Sequence, residues 1–190
     1  MTLQLYGVVR ARHPRVPRRV GWEDLAMVVG DVPDEPDPAA HLVAVSALVE
    51  HGPVLPVRFG TMAADEETVR TEILAPAAER FRADLDRLDG LAEVHVCLRF
   101  TEPDPAWRPA RSSDLLAAIA ARARDSVSLP SGEHADERWA FLVGMGDLNV
   151  VRAAVAELGA DPGVRAEYVG PLPAYSFLDR RPRTGSRWGW

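Results

Sequence analysis

Few residues of this chain could support chemistry, and the first candidates are the glycines Gly144 and Gly146. They separate a predicted strand from a predicted helix, as the glycines of a dinucleotide-binding fingerprint do. The fingerprint requires a third glycine, but Asn149 occupies its position. The acidic residue expected about 20 positions further on does not end a second parallel strand. We therefore interpret Gly144 and Gly146 as turn residues.

The histidines and the single cysteine do not form a recognisable metal or nucleophile motif. Cys97 shares a predicted strand face with His95 and Arg99, but residues two apart on a strand are not set up as a hydrogen-bonded pair. One cysteine excludes an internal disulfide and a cysteine-based metal site. We predict no catalytic residue, no metal site and no cofactor. The histidines never fall at metal-ligand spacing on one predicted element; they are His13, His41, His51, His95 and His134.

Composition and charge exclude several functional classes. The 22 basic residues are all arginine, 28 residues are acidic, and the formal net charge is −6. An acidic protein binds nucleic acid poorly, because that binding depends on cations that displace counterions from phosphates. No apolar run approaches the roughly 18–20 residues that span a bilayer, and the first residues are typical of a strand rather than a signal peptide. We expect a cytosolic protein that binds neither nucleic acid nor membrane.

One segment, residues 50–60, lies between two long predicted helices and has little conformational freedom. Its sequence is Glu-His-Gly-Pro-Val-Leu-Pro-Val-Arg-Phe-Gly. Pro53 and Pro56 each fix φ and remove a backbone donor. We predict a short strand at Val54–Phe59 between two glycine hinges. Because a central strand needs every N–H for its ladder, Pro56 predicts an edge strand or a bulge.

The elements before this segment are two strands and a helix. Strands are predicted at 3–10 and 25–29, and they pair as a hairpin with a long loop. A helix at 39–51 follows, with Asp37 as its N-cap. Its apolar face is predicted to comprise Leu42, Val45, Leu48 and Val49.

After the segment, a long amphipathic helix begins near Asp65 and ends at Gly90. Pro76 lies inside it, so we expect a kink or two abutting helices near residue 75. A strand at 93–100 follows, with alternating residues on one apolar face and one wet or lightly covered face. The apolar stripe of the helix comprises Val69, Ile73, Ala77, Phe81 and Leu85.

The second half repeats the strand–helix–strand pattern. Helices are predicted at 112–126, capped by Ser112 or Ser113, and at 148–158. A polar loop covers 128–138. Strands are predicted at 139–143 and 164–169. The whole is an α+β fold of split-βαβ type. The predicted domains are 1–100, an α+β domain; 101–111, a linker; 112–179, a second domain; and 180–190, a basic tail.

The tail interleaves arginine with tryptophan and could dock on an acidic partner, or it could be a disordered terminus.

Three stretches together resemble the gas vesicle protein F/L family (GvpF/GvpL). They are Leu5-Tyr-Gly-Val-Val, Pro53-Val-Leu-Pro-Val-Arg-Phe-Gly-Thr and Gly170-Pro-Leu-Pro-Ala-Tyr-Ser-Phe. Their order and rough spacing are those of the family, and the resemblance extends from residue 1 to about residue 179. The chain departs from the usual closing motif at Leu172 and Ala174, where the family has tryptophan and a second proline.

The resemblance implies two α+β domains, of which the C-terminal one, and as an option the N-terminal one, is ferredoxin-like. It implies an accessory or minor structural protein that acts in gas vesicle assembly, in the cytoplasm and at the gas vesicle. Its implied partners are the hydrophobic shell protein and other gas vesicle proteins, with no catalysis and no cofactor. The candidate partner-binding or family-motif residues are Pro53, Leu55, Pro56, Val57, Arg58, Phe59, Gly60, Gly170, Pro171, Tyr175 and Phe177.

Two questions stay open at this level. The Val54–Phe59 edge, with Arg58 as a charged anchor, could contact a partner by β-augmentation. It could instead be an internal corner in which Arg58 pairs with a buried carboxylate. The alternative function, a ferredoxin-like small-ligand module or enzyme, predicts an enclosed pocket with convergent polar groups.

Overall fold

The computed structural model describes residues 2–16, 18–101, 108–132, 135–160 and 163–178. His134, the tail at 180–190 and most of the predicted linker lie outside these residues. The described chain divides into two units, one formed by residues up to Gly90 with the segment from Pro173 onward, the other by Leu91–Leu172. Each unit combines helices with an antiparallel sheet, which confirms the α+β class.

The first unit contains a five-stranded sheet. Its strands are β1 (Leu3–Arg10), β2 (Arg19–Trp22), β3 (Leu25–Asp31), β4 (Val54–Pro56) and β5 (Met62–Ala63). The order is β2-β3-β1-β4, and β5 pairs with β1 beside β4. The predicted pairing of the strands at 3–10 and 25–29 is confirmed. The described residues between β1 and β2 contain no helix, so this unit does not follow the β-α-β-β-α-β order that the ferredoxin-like option required.

Strand β2 lies within the long loop that was predicted between the strands at 3–10 and 25–29. It pairs with β3 through a tight connection in which Glu23 has a φ of 51°. Left-handed φ values are uncommon outside glycine, asparagine and aspartate. A Glu-Asp pair is therefore not one of the turn sequences that predict a hairpin. The sequence therefore gives no local indication of this strand.

Helix α1 (Pro38–Val49) begins after Asp37, whose carboxylate accepts hydrogen bonds from the backbone N–H groups of Ala39 and Ala40 at 2.8 and 3.1 Å. The predicted N-cap is confirmed. The buried face differs by one position from the prediction. His41, at 4% exposure, is buried with Val45, Leu48 and Val49, whereas Leu42 is 40% exposed.

The long helix of the first unit has three parts. A short turn, α2 (Glu66–Thr68), leads into a π-helical stretch (Val69–Leu74) and then α3 (Ala75–Arg87). The π-helical hydrogen bonding changes to α-helical at Ala75, one residue before Pro76. The predicted irregularity near residue 75 is confirmed, and its physical cause is the missing donor of proline.

The second unit is built from β6 (Leu91–Phe100), α4 (Arg108–Ala120), β7 (Ala123–Leu129), β8 (Glu137–Gly144), α5 (Leu148–Leu158) and β9 (Val164–Leu172). The sheet order is β7-β8-β6-β9, with all neighbours antiparallel. One face of β6 packs against α4 and α5. That core includes Val94, Val96, Leu98, Phe100, Leu116, Ile119, Val151 and Val155.

Two predictions differ from this unit. Helix α4 starts at Arg108, ahead of the predicted serine cap, and ends at Ala120. Residues predicted as its last turn form β7 instead. Ser112 uses its hydroxyl elsewhere, since it donates to Glu137 at 2.8 Å. Pairing of β7 with β8 outweighs the helical propensity of the alanine-rich stretch before Asp125.

The predicted boundary after residue 100 also differs from the observed division. The strand at 93–100 was assigned to the first domain, but β6 is a central strand of the second sheet and pairs with β8 and β9. The face of β6 that points away from α4 and α5 contains Glu93. Glu93 is only 1% exposed, so it is more deeply covered than the predicted wet or lightly covered position. Glu93 accepts a hydrogen bond from His95 at 2.6 Å.

Candidate functional site

The segment predicted as an edge strand forms a buried corner at the end of the first sheet. Strand β4 covers three residues rather than six, and Val54, Leu55 and Pro56 are all buried. Gly7, Val8 and Val9 of β1 pair with it. The end position in the strand order confirms the edge that Pro56 predicted.

The two strands approach closely at Gly7. A Cβ added there would lie 2.8 Å from the carbonyl oxygen of Leu55 and 2.8 Å from a methyl carbon of Val54. Contacts this short are not tolerated, so only glycine permits this spacing. The close pairing of the first and second family-motif stretches therefore depends on glycine at position 7.

After β4 the chain turns outward. Val57 is fully buried and donates its N–H to the Tyr6 carbonyl at 3.0 Å. The next three residues, Arg58, Phe59 and Gly60, are exposed. The Arg58 carbonyl accepts hydrogen bonds from the N–H and hydroxyl groups of Thr61, and Gly60 has a φ of 82°. The predicted strand at Val54–Phe59 thus divides into a buried half and an exposed turn.

The closing motif is divided between the two units. Tyr175 donates its hydroxyl to the Val57 carbonyl at 3.4 Å, which ties the last described segment to the corner. Phe177 is buried, and its carbonyl accepts a hydrogen bond from Arg87 at 3.2 Å. Gly170 and Pro171, joined by a cis peptide bond, belong to β9 of the second unit. The corner therefore gathers Pro53 to Gly60 with Tyr175, while Gly170 and Pro171 contribute to the second sheet.

Behind the exposed turn lies a stack of three rings. The His41 ring lies parallel to Tyr6, with centroids 5.0 Å apart, and meets the Phe59 ring edge-on at 5.5 Å. Gln4 donates to His41 Nδ1 at 3.3 Å. Burial lowers the pKa of His41, and the nearby Val57 carbonyl acts in the opposite direction. His41 is therefore neutral near pH 7 and acts as an aromatic support for Phe59.

Two apolar side chains are exposed in the turn and at the start of β5. The side chain of Phe59 is 39% exposed and that of Met62 is 49% exposed. A continuous set of contacts joins them, since Met62 pairs with Gln4, Gln4 bonds to His41, and His41 contacts Phe59. We call Arg58, Phe59 and Met62 the Phe59 surface.

The surroundings of Arg58 bear on the two hypotheses for this segment. The Arg58 side chain is exposed, and within residues 2–16, 18–101, 108–132, 135–160 and 163–178 no carboxylate forms an ion pair with it. The predicted pairing with an internal carboxylate is therefore absent from the described chain. The internal-corner hypothesis fits residues 54–57, and the exposed residues 58–60 keep the partner-contact hypothesis open.

Two clefts occur in the first unit, with volumes of about 640 and 900 Å³. The smaller one contains an ion-pair network in which Arg10 contacts Asp24 at 2.7 Å and also bonds to Asp86. Arg82 adds a second cation, and its hydrogen bond lowers the pKa of Asp24. Each of these charges already has an oppositely charged partner. We therefore interpret the network as a structural link between β1, the β2–β3 turn and α3.

His13 also borders the smaller cleft and caps α1. Its Nε2–H donates to the Leu48 carbonyl at 3.1 Å, in the last turn of the helix. Burial lowers the pKa of His13, the Leu48 carbonyl opposes this, and nearby His51 and Arg19 add to the lowering.

The described residues contain no group of three or more His, Cys, Asp or Glu side chains placed to hold a metal ion. Among them, no helix is both long and apolar enough to cross a membrane.

Sequence reasoning missed His41 and Met62 at this site. A signal for His41 was present: positions 41, 45, 48 and 49 share a helical face, so His41 could have replaced Leu42 in the predicted buried stripe. Met62 carried no signal, since β5 is only two residues long and is defined by its pairing with β1.

The comparisons with known proteins agree with this architecture. The family model described as gas vesicle synthesis protein GvpL/GvpF matches residues 4–130 and 105–179. Gas vesicle protein F from Streptomyces sp. (strain CB03234) is 28% identical over 114 residues, which cover 50% of this chain and 48% of that protein. The chain thus matches about half the length of this relative.

Two crystal structures share the fold. GvpF from Anabaena sp. PCC7120 has a TM-score of 0.73 at 16% identity, covering 97% of this chain and 99% of that one. GvpF from Microcystis aeruginosa has a TM-score of 0.74 at 15% identity, covering 94% and 99%. With the family model matched across both units, the chain belongs to the GvpL/GvpF family of gas vesicle proteins.

Proposed function

We propose that this protein acts in gas vesicle assembly by binding the hydrophobic shell protein, and other gas vesicle proteins, through the Phe59 surface. Family membership supports a gas vesicle role. The observation that carries the proposed contact is the exposed pair Phe59 and Met62 beside Arg58, a cation without an ion pair among the described residues. The proposed location is the gas vesicle and the surrounding cytoplasm, and catalysis is not part of the proposal.

The chemistry of the Phe59 surface suits an apolar polypeptide. Covering the exposed parts of Phe59 and Met62 would remove apolar area from water, and complete burial of such a side chain is worth about 1.5–3 kcal/mol. Arg58 can donate up to five hydrogen bonds to backbone carbonyls or to a carboxylate of the partner. A partly apolar site with one charged anchor combines affinity with a defined orientation.

The structure changes the expected mode of contact. Strand addition along β4 would need a long exposed edge, but β4 has three residues and all are buried. The proposed contact therefore uses side chains of the exposed turn rather than the β4 backbone. The buried residues Val54 to Val57 hold that turn in place.

The test replaces Arg58 by alanine in the full chain. We expect an unchanged melting temperature and a loss of about tenfold in capture of the purified shell protein. Arg124→Ala is the matched control, because Arg124 is an exposed arginine of β7 with no described ion pair. A lower melting temperature of Arg58→Ala, with capture retained per folded molecule, would show that Arg58 serves stability and would refute the proposal.

Neither of the two clefts described for the first unit favours the alternative of a small-ligand module or enzyme. This alternative predicts an enclosed pocket with convergent polar groups. The two clefts of the first unit are open to solvent, and in the smaller one Asp24, Asp86 and Arg10 are engaged with one another.

A further inference from the structure

Strand β9 is the end strand of the second sheet, and its nine residues present a long outer edge. Its pairing with β6 determines which backbone groups face outward. The Thr101 N–H donates to the Gly163 carbonyl at 3.0 Å, and the Asp136 N–H donates to the Leu98 carbonyl at 2.9 Å. The backbone N–H and C=O groups of odd-numbered residues of β6 therefore point towards β9, and those of even-numbered residues point towards β8.

The alternation fixes the outer edge of β9. Arg165, Glu167 and Val169 stand opposite odd-numbered residues of β6, so their backbone groups bond inward. The N–H and C=O groups of Ala166 and Tyr168 point away from β6. In the part of the chain that the structure describes, neither residue's backbone has a hydrogen-bond partner.

The two residues that flank Ala166 carry opposite charges. Arg165 and Glu167 are both exposed and lie on the same face of the sheet. Within the described ranges neither forms an ion pair. Arg165 also stands directly opposite Arg99 in the ladder, so a further carboxylate facing Arg165 would be favourable.

We propose that this edge pairs with the same edge of a second copy of the chain, antiparallel and centred on Ala166. In that register the Ala166 N–H of each copy donates to the Ala166 carbonyl of the other. Each Arg165 then lies opposite Glu167 of the second copy, so two cross-strand ion pairs form. The charges on the edge favour a second copy as the partner. An edge that carried charges of one sign would repel its own copy, whereas Arg165 and Glu167 are complementary to each other across the two-fold axis.

Gly159, at the end of α5, borders Ala166 at the centre of the proposed contact. A Cβ built on Gly159 would lie 3.9 Å from both the Ala166 nitrogen and the Ala166 oxygen, an ordinary contact distance. Pairing at Ala166 therefore requires the Gly159 backbone to stay out of the plane of the sheet, and the absence of a side chain at this position favours that arrangement.

The test measures the mass of the full chain by sedimentation equilibrium up to about 1 mM, where even weak association is visible. We expect the wild type to approach twice the 20.8 kDa monomer mass. Arg165→Glu and Glu167→Arg should each weaken the dimer by about tenfold or more, since each turns two attractions into two repulsions. Arg124→Glu, on the opposite edge strand β7, is the control and should leave association unchanged.

Two further samples distinguish specific pairing from damage to the fold. A mixture of Arg165→Glu and Glu167→Arg chains should form a heterodimer, because every facing pair then has opposite charges. The double variant carrying both changes should recover the homodimer. A monomeric wild type at the highest concentration would overturn the proposal. Dimers that persist in both single variants, or that fail to return in the mixture and the double variant, would overturn it as well.

Discussion

The ring of Phe59 meets the ring of His41 edge-on, with centroids 5.5 Å apart and an interplanar angle of 74°. Phe59 is 39% exposed, whereas His41 is 4% exposed. The exposed ring therefore rests on a buried one, which in turn stacks on Tyr6. Phe59 is held in a defined orientation although it faces solvent, and such preorganisation reduces the entropy lost when a partner binds.

Replacing Phe59 by alanine should separate binding from stability. We expect a stability loss of about 1 kcal/mol from the lost aromatic contact, and a much larger fractional loss of shell-protein capture. Chemical denaturation and capture by the folded protein measure the two effects. Val150→Ala is the control, since Val150 is 43% exposed in the second unit and should affect neither. Full capture by the Phe59 variant would remove this side chain from the proposed surface.

Gly7 should be intolerant of even one methyl group. A Cβ at this position would lie 2.8 Å from the Leu55 carbonyl oxygen, so β4 must move away from β1. We expect Gly7→Ala to lower the free energy of unfolding by about 1–3 kcal/mol, the usual cost of overpacking. Gly146→Ala is the matched control, because a Cβ there meets nothing within 4 Å. Equal stability of the two variants would show that the strands separate without cost.

Stability should decline as the pH falls below about 6.5, the usual pKa of histidine. Burial lowers the pKa of both His13 and His41 in the folded protein. Between those lowered values and 6.5, the unfolded chain binds more protons than the folded one, so acid favours unfolding. Above that range these two groups contribute no pH dependence. Urea denaturation at a series of pH values measures the slope.

A double variant, His13→Asn with His41→Phe, provides the comparison for this slope. Its absolute stability can be lower, but its stability should depend less on pH just below about 6.5, the usual pKa of histidine, because neither replacement titrates. Asp24 and Asp65 do not contribute to this slope, because hydrogen bonds from Arg82 and from the Thr68 backbone lower the pKa values of these two carboxyl groups further below that of histidine. An unchanged slope in the double variant would assign the pH dependence to other groups.

Local sequence signals predicted most of the elements. The strand at 3–10, the helix capped by Asp37 and the helix at 148–158 carry clear periodicity or capping residues, and the structure contains all three. Strands defined mainly by their neighbours were missed. β2 depends on the unusual φ of Glu23, and β7 depends on pairing with β8. Long-range pairing also decided which sheet β6 joins, which no local pattern reveals.

The same distinction applies to the candidate site. Pro56 was enough to predict an edge at β4, and the third motif stretch indicated Tyr175, which bonds to the corner. The aromatic support beneath Phe59 required knowledge of how α1 packs on β1, because His41 and Tyr6 lie far apart in sequence. Partner binding by this site stays a prediction.

The order of the chain through its two units affects how binding sites can be mapped. The first unit includes both the chain up to Gly90 and the segment from Pro173, so the second unit interrupts it. A fragment that stops near residue 90 or 100 would lack Tyr175, whose hydroxyl bonds to the Val57 carbonyl. Loss of binding in such a fragment would suggest a contact in the missing half, even if the true contact were at Phe59. Internal deletion of 91–172 with a short connector, rather than truncation, is the change that leaves both parts of the first unit on one polypeptide.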